Sequence, residues 1–172
     1  MNFYSCGFMK DSRDRIALVR KNKPAWQAGR LNGIGGGMED GESPLASMRR
    51  EWSEETDTFN PFWCQFATIC FNEAVVHFFK ASVPELPVLT EYNDIGEKLE
   101  VWDYSAAVRS SVVLPNLKWL LPMAFEDPDA TFALLRPLPM PWHMTAANDN
   151  EPVVPVNNVR RFFDLPVLEN AA

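Results

Sequence analysis

Short runs of apolar residues, each ended by a polar or glycine-rich turn, recur along the first hundred positions. Runs of this length that are rich in Val, Ile, Phe and Trp are typical of strands in a buried sheet. We therefore expect strands over residues 2–9, 15–21, 62–71, 74–83 and 99–104. A polar turn separates the first two, and a short turn around Asn72 and Glu73 joins the third to the fourth. The stretch 21–41, which is rich in Gly and Asn, is expected to be a loop.

A helical period replaces the strand pattern after residue 42. Ser43 suits the N-cap of this helix, and Pro44 suits its first helical position. Leu45, Met48 and Trp52 then recur at helical spacing, which gives the helix one apolar stripe for the core.

The last third of the chain changes in character. A helical turn is expected over 105–111 and a longer helix over 114–127, in which Pro122 has to lie near an end or at a kink. Beyond it the sequence is dense in proline and shows no long amphipathic period. We therefore divide the chain into a domain at 1–136 and a proline-rich extension at 137–172. Three roles are open for the extension: it packs on the domain, contacts another subunit or is partly mobile. A homodimer is therefore one of the expected possibilities.

Composition narrows the classes of function. The net charge of −7 argues against a nucleic acid polymer as partner, because phosphates attract patches of Lys and Arg. Cys6, Cys64 and Cys70 are odd in number and have no CxxC spacing, which favours reduced thiols over disulfides or zinc. No run approaches eighteen apolar residues and no signal peptide is recognisable, so neither a membrane partner nor export is expected. The expected location is the cytoplasm.

Seven carboxylates follow three consecutive glycines between residues 35 and 57. Glu51, Glu54 and Glu55 fall within about one turn of the predicted helix, with Glu51 and Glu55 at the edge of its apolar stripe. Their repulsion is relieved by a hard divalent cation, which prefers carboxylate oxygens. Arg50 is placed to pair with Glu54. Such charge runs are ordinarily a solvated helix face, so the carboxylates alone leave both readings open.

The glycine loop and the acidic helix together form a more specific pattern than either segment does alone. Gly36, five residues, Glu42, seven residues and then the run Arg50-Glu51-Trp52-Ser53-Glu54-Glu55 resembles the Nudix box, G-x5-E-x7-R-E-U-x-E-E-x-G-U, in which U is a bulky apolar residue. A random chain of this length would meet the six fixed positions on the order of once in 10⁵. The sequence departs from the box at Asp57 and Thr58, and Ile34 stands where many members have proline.

The resemblance implies a Nudix fold, which is an α+β chain arranged as an α/β/α sandwich with a mixed sheet between helices. It also implies a metal-dependent pyrophosphohydrolase that cleaves a nucleoside diphosphate linked to another moiety. The implied cofactor is Mg²⁺ or Mn²⁺, and the implied ligands are Glu51, Glu54, Glu55 and the carbonyl of Gly36. Glu42 and Arg50 are expected to brace the loop and the helix, although either can contact the metal or the water indirectly.

The general base is left open between two regions. Within the box, Glu51 or Glu55 is the leading candidate to accept the proton of the attacking water. In some members of the family the base comes from a downstream loop, where Glu97 is the best placed residue and Glu91 and Glu100 are its rivals. For each of these three, an exposed loop glutamate without a catalytic role is the favoured alternative.

Residues 30–42 look like the loop of Nudix enzymes that sanitise oxidised purine nucleotides. This resemblance implies that Asn32 contacts a base edge and that Asn116 is a second base contact. Trp26 is the aromatic candidate for stacking on the base, with Phe3 and Trp119 beside it. The plainer alternatives are that Asn32 turns a loop, that Asn116 caps a helix and that the aromatic residues belong to the core.

Three functions compete on this sequence. The leading one is a pyrophosphohydrolase with a small-molecule nucleotide as substrate, in which a triphosphate is favoured over a nucleotide sugar or a dinucleotide. The second is a non-catalytic Nudix-fold module that binds nucleotides or regulates, although such a module has little need to retain every carboxylate. The third is an acidic structural protein with a coincidental box.

Overall fold

Seven strands and three helices form the part of the chain that the structure, a computed structural model, describes: residues 1–70 and 73–126, and the backbone of 132–134. In chain order they are β1 (Asn2–Asp11), β2 (Arg15–Arg20), β3 (Leu31–Asn32), α1 (Pro44–Thr56), β4 (Cys64–Cys70), β5 (Ala74–Val83), β6 (Lys98–Asp103), α2 (Tyr104–Arg109), α3 (Leu117–Phe125) and β7 (Phe132–Leu134). Across the described residues, no helix is both long enough and apolar enough to cross a bilayer.

The strands form one mixed sheet. β1 runs parallel to β5 along its whole length, from Asn2 opposite Ala74 to Asp11 opposite Val83. β4 is antiparallel to β5 and carries β7 as a parallel neighbour. On the other side β2 pairs antiparallel with the end of β1, with β3 and with β6. The mixed sheet that the sequence predicts is confirmed.

The central strands are buried on both faces, which explains their unbroken apolar sequence. In β1, Phe8 faces a core cluster that contains α2 and α3, whereas the next residue, Met9, faces the cluster that contains α1. β2 alternates in the same way, with Leu18 and Val19 on opposite faces. The helices thus cover both sides of the sheet, as an α/β/α sandwich requires.

Two short strands are not predicted by the sequence. β3 lies inside the expected loop, where Leu31 bonds through its backbone to Val112 and Leu114. β7 lies beyond the expected last helix and pairs with β4. Strands of two or three residues carry too few positions for a detectable period, so only their pairing with β2 and β4 defines them.

The described residues test the expected position of Pro122, but they do not include two other segments for which the sequence makes a prediction. Pro122 lies inside α3, at the sixth of its nine residues, where it removes the N–H that would bond to Lys118. The turn at Asn72 and the proline-rich extension at 137–172 lie outside the described residues.

The glycine-rich loop runs along β1 as a further, irregular strand. Ser5 N donates to Gly36 O at 3.0 Å, Gly7 N donates to Ile34 O at 2.8 Å, and Ile34 N returns a bond to Gly7 O at 3.1 Å. Gly35 has φ +146°, and a Cβ there would lie 2.2 Å from Ser5 O. Only glycine lets this loop approach β1 so closely.

We therefore predict that Gly35→Ala destabilises the fold by about 1–3 kcal/mol, since it adds both backbone strain and a clash with main-chain atoms. Gly37→Ala is the matched control, because no atom lies within 4 Å of a Cβ at Gly37. Urea unfolding of the two variants measures the difference. Equal stability of both would contradict the close packing of the loop on β1.

Candidate active site

Helix α1 is held at both ends by its own sequence. Ser43 accepts a hydrogen bond from Ala46 N at 3.2 Å, and Pro44 occupies the first helical position, as predicted. At the other end Asp57 adopts the left-handed conformation, with φ 52°, and donates its N–H to Ser53 O. Asp therefore takes the place of the glycine that ends the Nudix box helix, because a short polar side chain tolerates this conformation.

The apolar stripe fixes the rotation of α1 about its axis. Met48 and Trp52 are fully buried against the sheet, and Leu45 packs at the edge of the same cluster. Glu51 and Glu55 flank this stripe and are only partly exposed, whereas Glu54 is exposed. The expected placement of two carboxylates at the rim of the buried face is confirmed.

Arg50 bonds to several carboxylates at once. Its Nε and Nη2 donate to the two oxygens of Glu42 at 3.1 and 3.0 Å, which makes a bidentate pair. Its Nη1 donates to Glu51 and to Glu54, at 2.9 Å each, and Nη2 also reaches Gly37 O at 2.8 Å. The bonds to Glu42 contribute most to raising the pKa of Arg50, and the bonds to Glu51 and Glu54 add to this rise. The same pairing with Arg50 lowers the pKa of the Glu42 carboxyl. Arg50 and Glu42 therefore connect the loop to the helix.

Glu51 lies directly against the glycine loop. A Cβ at Gly36 would approach Glu51 Oε2 to 2.5 Å, so this carboxylate uses the space that a side chain at Gly36 would need. Burial raises the pKa of Glu51, and its bond to Arg50 opposes that rise. The charge of Glu51 is thus only partly compensated by the protein.

Glu55 is the least compensated carboxylate of the set. Its Oε2 is buried and has no hydrogen-bond partner. Burial raises the pKa of Glu55 to about 7; the Lys21 ammonium and the Asn93 amide oppose the rise, and the charges of Glu51 and Glu97 add to it. A buried carboxyl of this kind needs a cation, a proton or a water molecule as partner.

The donor set fits a hard divalent cation by its chemistry. Glu51, Glu54 and Glu55 offer carboxylate oxygens from one edge of α1, and Glu55 Oε2 is an orphaned buried acceptor. Gly36 O accepts from Ser5 N and keeps one lone pair. In the described part of the chain no three Asp, Glu, His or Cys side chains already converge as ligands, because Glu51 and Glu54 turn to Arg50, the nearest cation.

Glu97 is fully buried and ion-paired. Lys21 Nζ donates to Glu97 Oε2 at 2.6 Å, and Asn22 N donates to Oε1 at 3.0 Å. Its rival Glu100 bonds to Arg20 Nε at 2.6 Å, which lowers the pKa of that carboxyl. The alternative that Glu97 is an exposed loop glutamate is wrong, although both of its oxygens already have protein partners.

The two predicted base contacts lie on different elements, Asn32 in β3 and Asn116 just before α3. Leu31 bonds through its backbone to Val112 and Leu114, which places the segment before α3 beside β3. Asn32 accepts from Gly33 N at 2.8 Å and donates to Gln27 at 3.3 Å, which is the loop-turning role. Asn116 makes no side-chain cap, and its Oδ1 is buried without a partner.

The aromatic candidates differ in exposure. Trp26 and Trp119 are partly buried and pack against the core cluster on the side of α2 and α3, whereas Phe3 is exposed. Trp26 and Trp119 therefore have at least the core contact of the plainer alternative.

Two residues near Glu55 have no signal in the sequence pattern. Lys21 follows the end of β2, and Asn93 lies in the loop before β6. Both act on the Glu55 carboxyl across the cleft. Their roles depend on which distant segment packs beside them, and no spacing rule connects positions 21, 55 and 93.

Comparison with known proteins agrees with this geometry. The family model described as NUDIX domain matches residues 5–107, which is more than half of the chain. No curated protein sequence is significantly similar to the chain.

Solved structures of low sequence identity share the fold. The mutator MutT protein from Bacillus halodurans is 22% identical, with a TM-score of 0.62 over 77% of this chain and 87% of its own. The Nudix domain of NrtR from Shewanella oneidensis, solved as a complex with ADP ribose, is 16% identical, with a TM-score of 0.59 over 72% and 86%. A Nudix hydrolase from Nitrosomonas europaea is 13% identical, with a TM-score of 0.63 over 78% of each chain.

The box predicted from the sequence, the sandwich that presents it and the family match over residues 5–107 agree. The family acts as pyrophosphohydrolases on nucleoside diphosphate derivatives, and this chain belongs to the Nudix hydrolase family.

Proposed function

We propose that this protein hydrolyses a nucleoside triphosphate, with an oxidised purine nucleotide as the favoured class, in a reaction that depends on Mg²⁺ or Mn²⁺. The observation that carries the proposal is Glu55, a buried carboxyl without a partner beside two further carboxylates and a glycine loop. Folding alone gives no reason to keep such a group. We also propose that the protein acts in the cytoplasm, because its three free cysteines are typical of a reducing compartment.

Glu51, Glu54, Glu55 and the Gly36 carbonyl are the residues that would hold the cation. When bound, the cation supplies positive charge where negative charge develops on the phosphoryl oxygens. Arg50 keeps its bidentate pair with Glu42 in this arrangement and so holds the helix edge to the loop. The position of the helix edge relative to the loop therefore does not depend on the cation.

Glu55 is our candidate for the base. Its buried Oε2 has no protein partner and is therefore free to accept a proton from water. The water oxygen forms a bond to phosphorus, the bond from phosphorus to the leaving oxygen breaks, and the proton passes to Glu55. Glu97 is a weaker candidate than the sequence implies, because Lys21 and Asn22 engage both of its oxygens.

Asn116 supports a purine nucleotide as substrate. Asn116 Oδ1 is a buried acceptor without a partner, and such an acceptor suits the donor groups of a base. ADP ribose, which is bound in the NrtR structure, is the main competing substrate class, and a module that binds nucleotides without turnover is the alternative function.

The first test is release of phosphate or pyrophosphate from canonical and oxidised nucleoside triphosphates, nucleotide sugars, ADP ribose and dinucleotide polyphosphates. We expect turnover of oxidised purine triphosphates with Mg²⁺ and none with chelator. Glu55→Gln should lose at least about 10³-fold in kcat, because it removes both a ligand and the base. Glu85→Gln, a change of an exposed carboxylate paired with Arg13, should not alter the rate. Nucleotide binding without any turnover would favour the non-catalytic module.

The raised pKa of Glu55 also predicts how stability depends on pH in metal-free protein. The folded state keeps this proton up to about pH 7, whereas the unfolded chain loses it near 4.5, so stability falls as pH rises between these values. Glu55→Gln should therefore raise the free energy of unfolding by up to about 3 kcal/mol above pH 7 and leave it unchanged below pH 4.

Glu54→Gln is the control for this measurement, because the Glu54 side chain is 55% exposed. Thermal unfolding between pH 4 and pH 8 with chelator present compares the two variants. A pH dependence of Glu55→Gln that equals that of the parent protein would show that Glu55 titrates normally.

A third test concerns the base contact. Asn116→Leu should raise KM for purine nucleotides by about 10-fold or more, because the variant cannot accept a hydrogen bond from the base. It should not lower the free energy of unfolding, since Asn116 Oδ1 has no protein partner to lose. Hydrolysis of a ribose triphosphate that lacks a base is the internal control and should not change. An equal loss with both substrates would place Asn116 outside base recognition.

A further inference from the structure

Two buried hydroxyl groups, the serine pair of Ser5 and Ser47, join α1 to β1. Ser5 Oγ lies 2.8 Å from Ser47 Oγ, which is hydrogen-bonding distance, and the two residues are 1% and 0% exposed. Around them the contact is apolar, with Met48 and Trp52 packed against the sheet. A buried hydrogen bond adds only modest net stability over apolar groups of the same shape. Folding alone therefore gives little reason for a serine pair at this place.

At the serine pair, α1 lies directly on the backbone of β1. Ser5, Gly7 and Met9 share the face of β1 that packs against α1, because alternate residues of a strand face the same side. A Cβ at Gly7 would lie 2.6 Å from Met48 Sδ, so only the absence of a side chain lets the helix come this close. Apolar contacts of this kind are non-directional, whereas a hydrogen bond has a preferred distance and angle. The serine pair therefore fixes the position of α1 along β1 more sharply than the apolar contacts do.

The serine pair closes a ring of contacts that includes the Gly36 carbonyl. Ser5 N donates to Gly36 O at 3.0 Å. Gly36 lies against Glu51, whose Oε2 is 2.5 Å from the position that a Cβ at Gly36 would take. Glu51 follows Ser47 by about one helical turn, so the two share a face of α1, and Ser47 returns to Ser5 through the hydroxyl bond. A shift of α1 along β1 would therefore change the separation between Gly36 O and the Glu51 carboxylate.

We propose that Ser5 and Ser47 are positioning residues for the cation site, because their hydroxyl pair keeps the Gly36 carbonyl and the carboxylates of α1 in matching positions. Ser5 acts through the Gly36 carbonyl, and Ser47 acts through Glu51. The inference rests on the proposed function, in which these groups hold a divalent cation. Mg²⁺ requires near-ideal geometry, with oxygens about 2.1 Å away, so a small displacement of one ligand weakens binding.

The cation affinity of the substrate-free protein tests the proposal. Ser47→Ala removes the hydroxyl bond and leaves Ser5 Oγ buried without a partner, so both the affinity and the Tm should fall. We expect the dissociation constants to rise about 10-fold, measured by calorimetry with Mg²⁺ and by electron paramagnetic resonance with Mn²⁺. Ser53→Ala, which removes a partly buried hydroxyl from the same helix, is the control and should leave both constants unchanged. Parent-like affinity in Ser47→Ala would contradict the proposal.

The double variant Ser5→Ala, Ser47→Ala separates position from stability. It removes both hydroxyl groups and leaves neither without a partner, so the Tm should return close to that of the parent protein. The affinity for Mg²⁺ and Mn²⁺ should stay about 10-fold weaker, because no directional contact replaces the pair. If the affinity recovers together with the Tm, the positioning role is overturned and the pair is purely structural.

Hydrogen exchange of the metal-free protein needs neither cation nor substrate. The Ser5 amide donates to Gly36 O within the ring, whereas the Gly7 amide donates to Ile34 O outside it. In the double variant we expect the Ser5 amide to exchange faster than in the parent protein and the Gly7 amide to exchange at the parent rate. A general loss of stability would accelerate both amides alike, and that result would count against a local role of the pair.

These measurements distinguish failure of the inference from failure of the proposed function. If the parent protein binds Mn²⁺ but hydrolyses no nucleotide, the proposed function fails, and the affinities of the serine variants still decide the role of the pair. If nucleotides are hydrolysed and the serine variants bind cations as tightly as the parent protein, the inference fails and the proposed function stands.

Discussion

Repulsion between carboxylates at the edge of α1 is the constraint on which the rest of the site depends. Three glutamates within about one helical turn, two of them partly buried, destabilise one another unless positive charge is close. Arg50 supplies it for Glu51 and Glu54, and Glu42 orients Arg50 from the loop. Glu55 is left outside this network. The protein thus compensates part of the charge and leaves Glu55 Oε2 without a hydrogen-bond partner.

The site is built on rigid elements. Met48 and Trp52 anchor α1 against the sheet, and backbone bonds to Ser5 and Gly7 hold the loop along β1. The helix and the loop are consequently in place before any ligand arrives, which reduces the entropy lost on binding. A helix that frayed, or a loop free to turn outward, would lose this advantage.

Features that depend on neighbouring residues could be predicted from the sequence, whereas features that depend on distant residues could not. The cap at Ser43, the left-handed Asp57 and the Met48 stripe all belong to one short segment, so α1 and its acidic edge could be predicted from the sequence. The Lys21–Glu97 pair joins residues 76 positions apart. A lysine at a strand end and a glutamate in a loop look exposed until the tertiary fold buries them together. The short strands β3 and β7 escaped prediction because two or three residues carry too few positions for a detectable period.

The parallel pairing of β1 with β5 has a consequence for how the molecule forms. Asn2 pairs with Ala74 and Asp11 pairs with Val83, so β1 has no long partner strand until nearly half of the chain has been synthesised. Contacts between segments far apart in sequence form slowly, because the intervening loop must close first. The glycine loop docks on that same strand. During synthesis the acidic helix is therefore complete before β5, the long partner of the strand that carries the glycine loop, has been made.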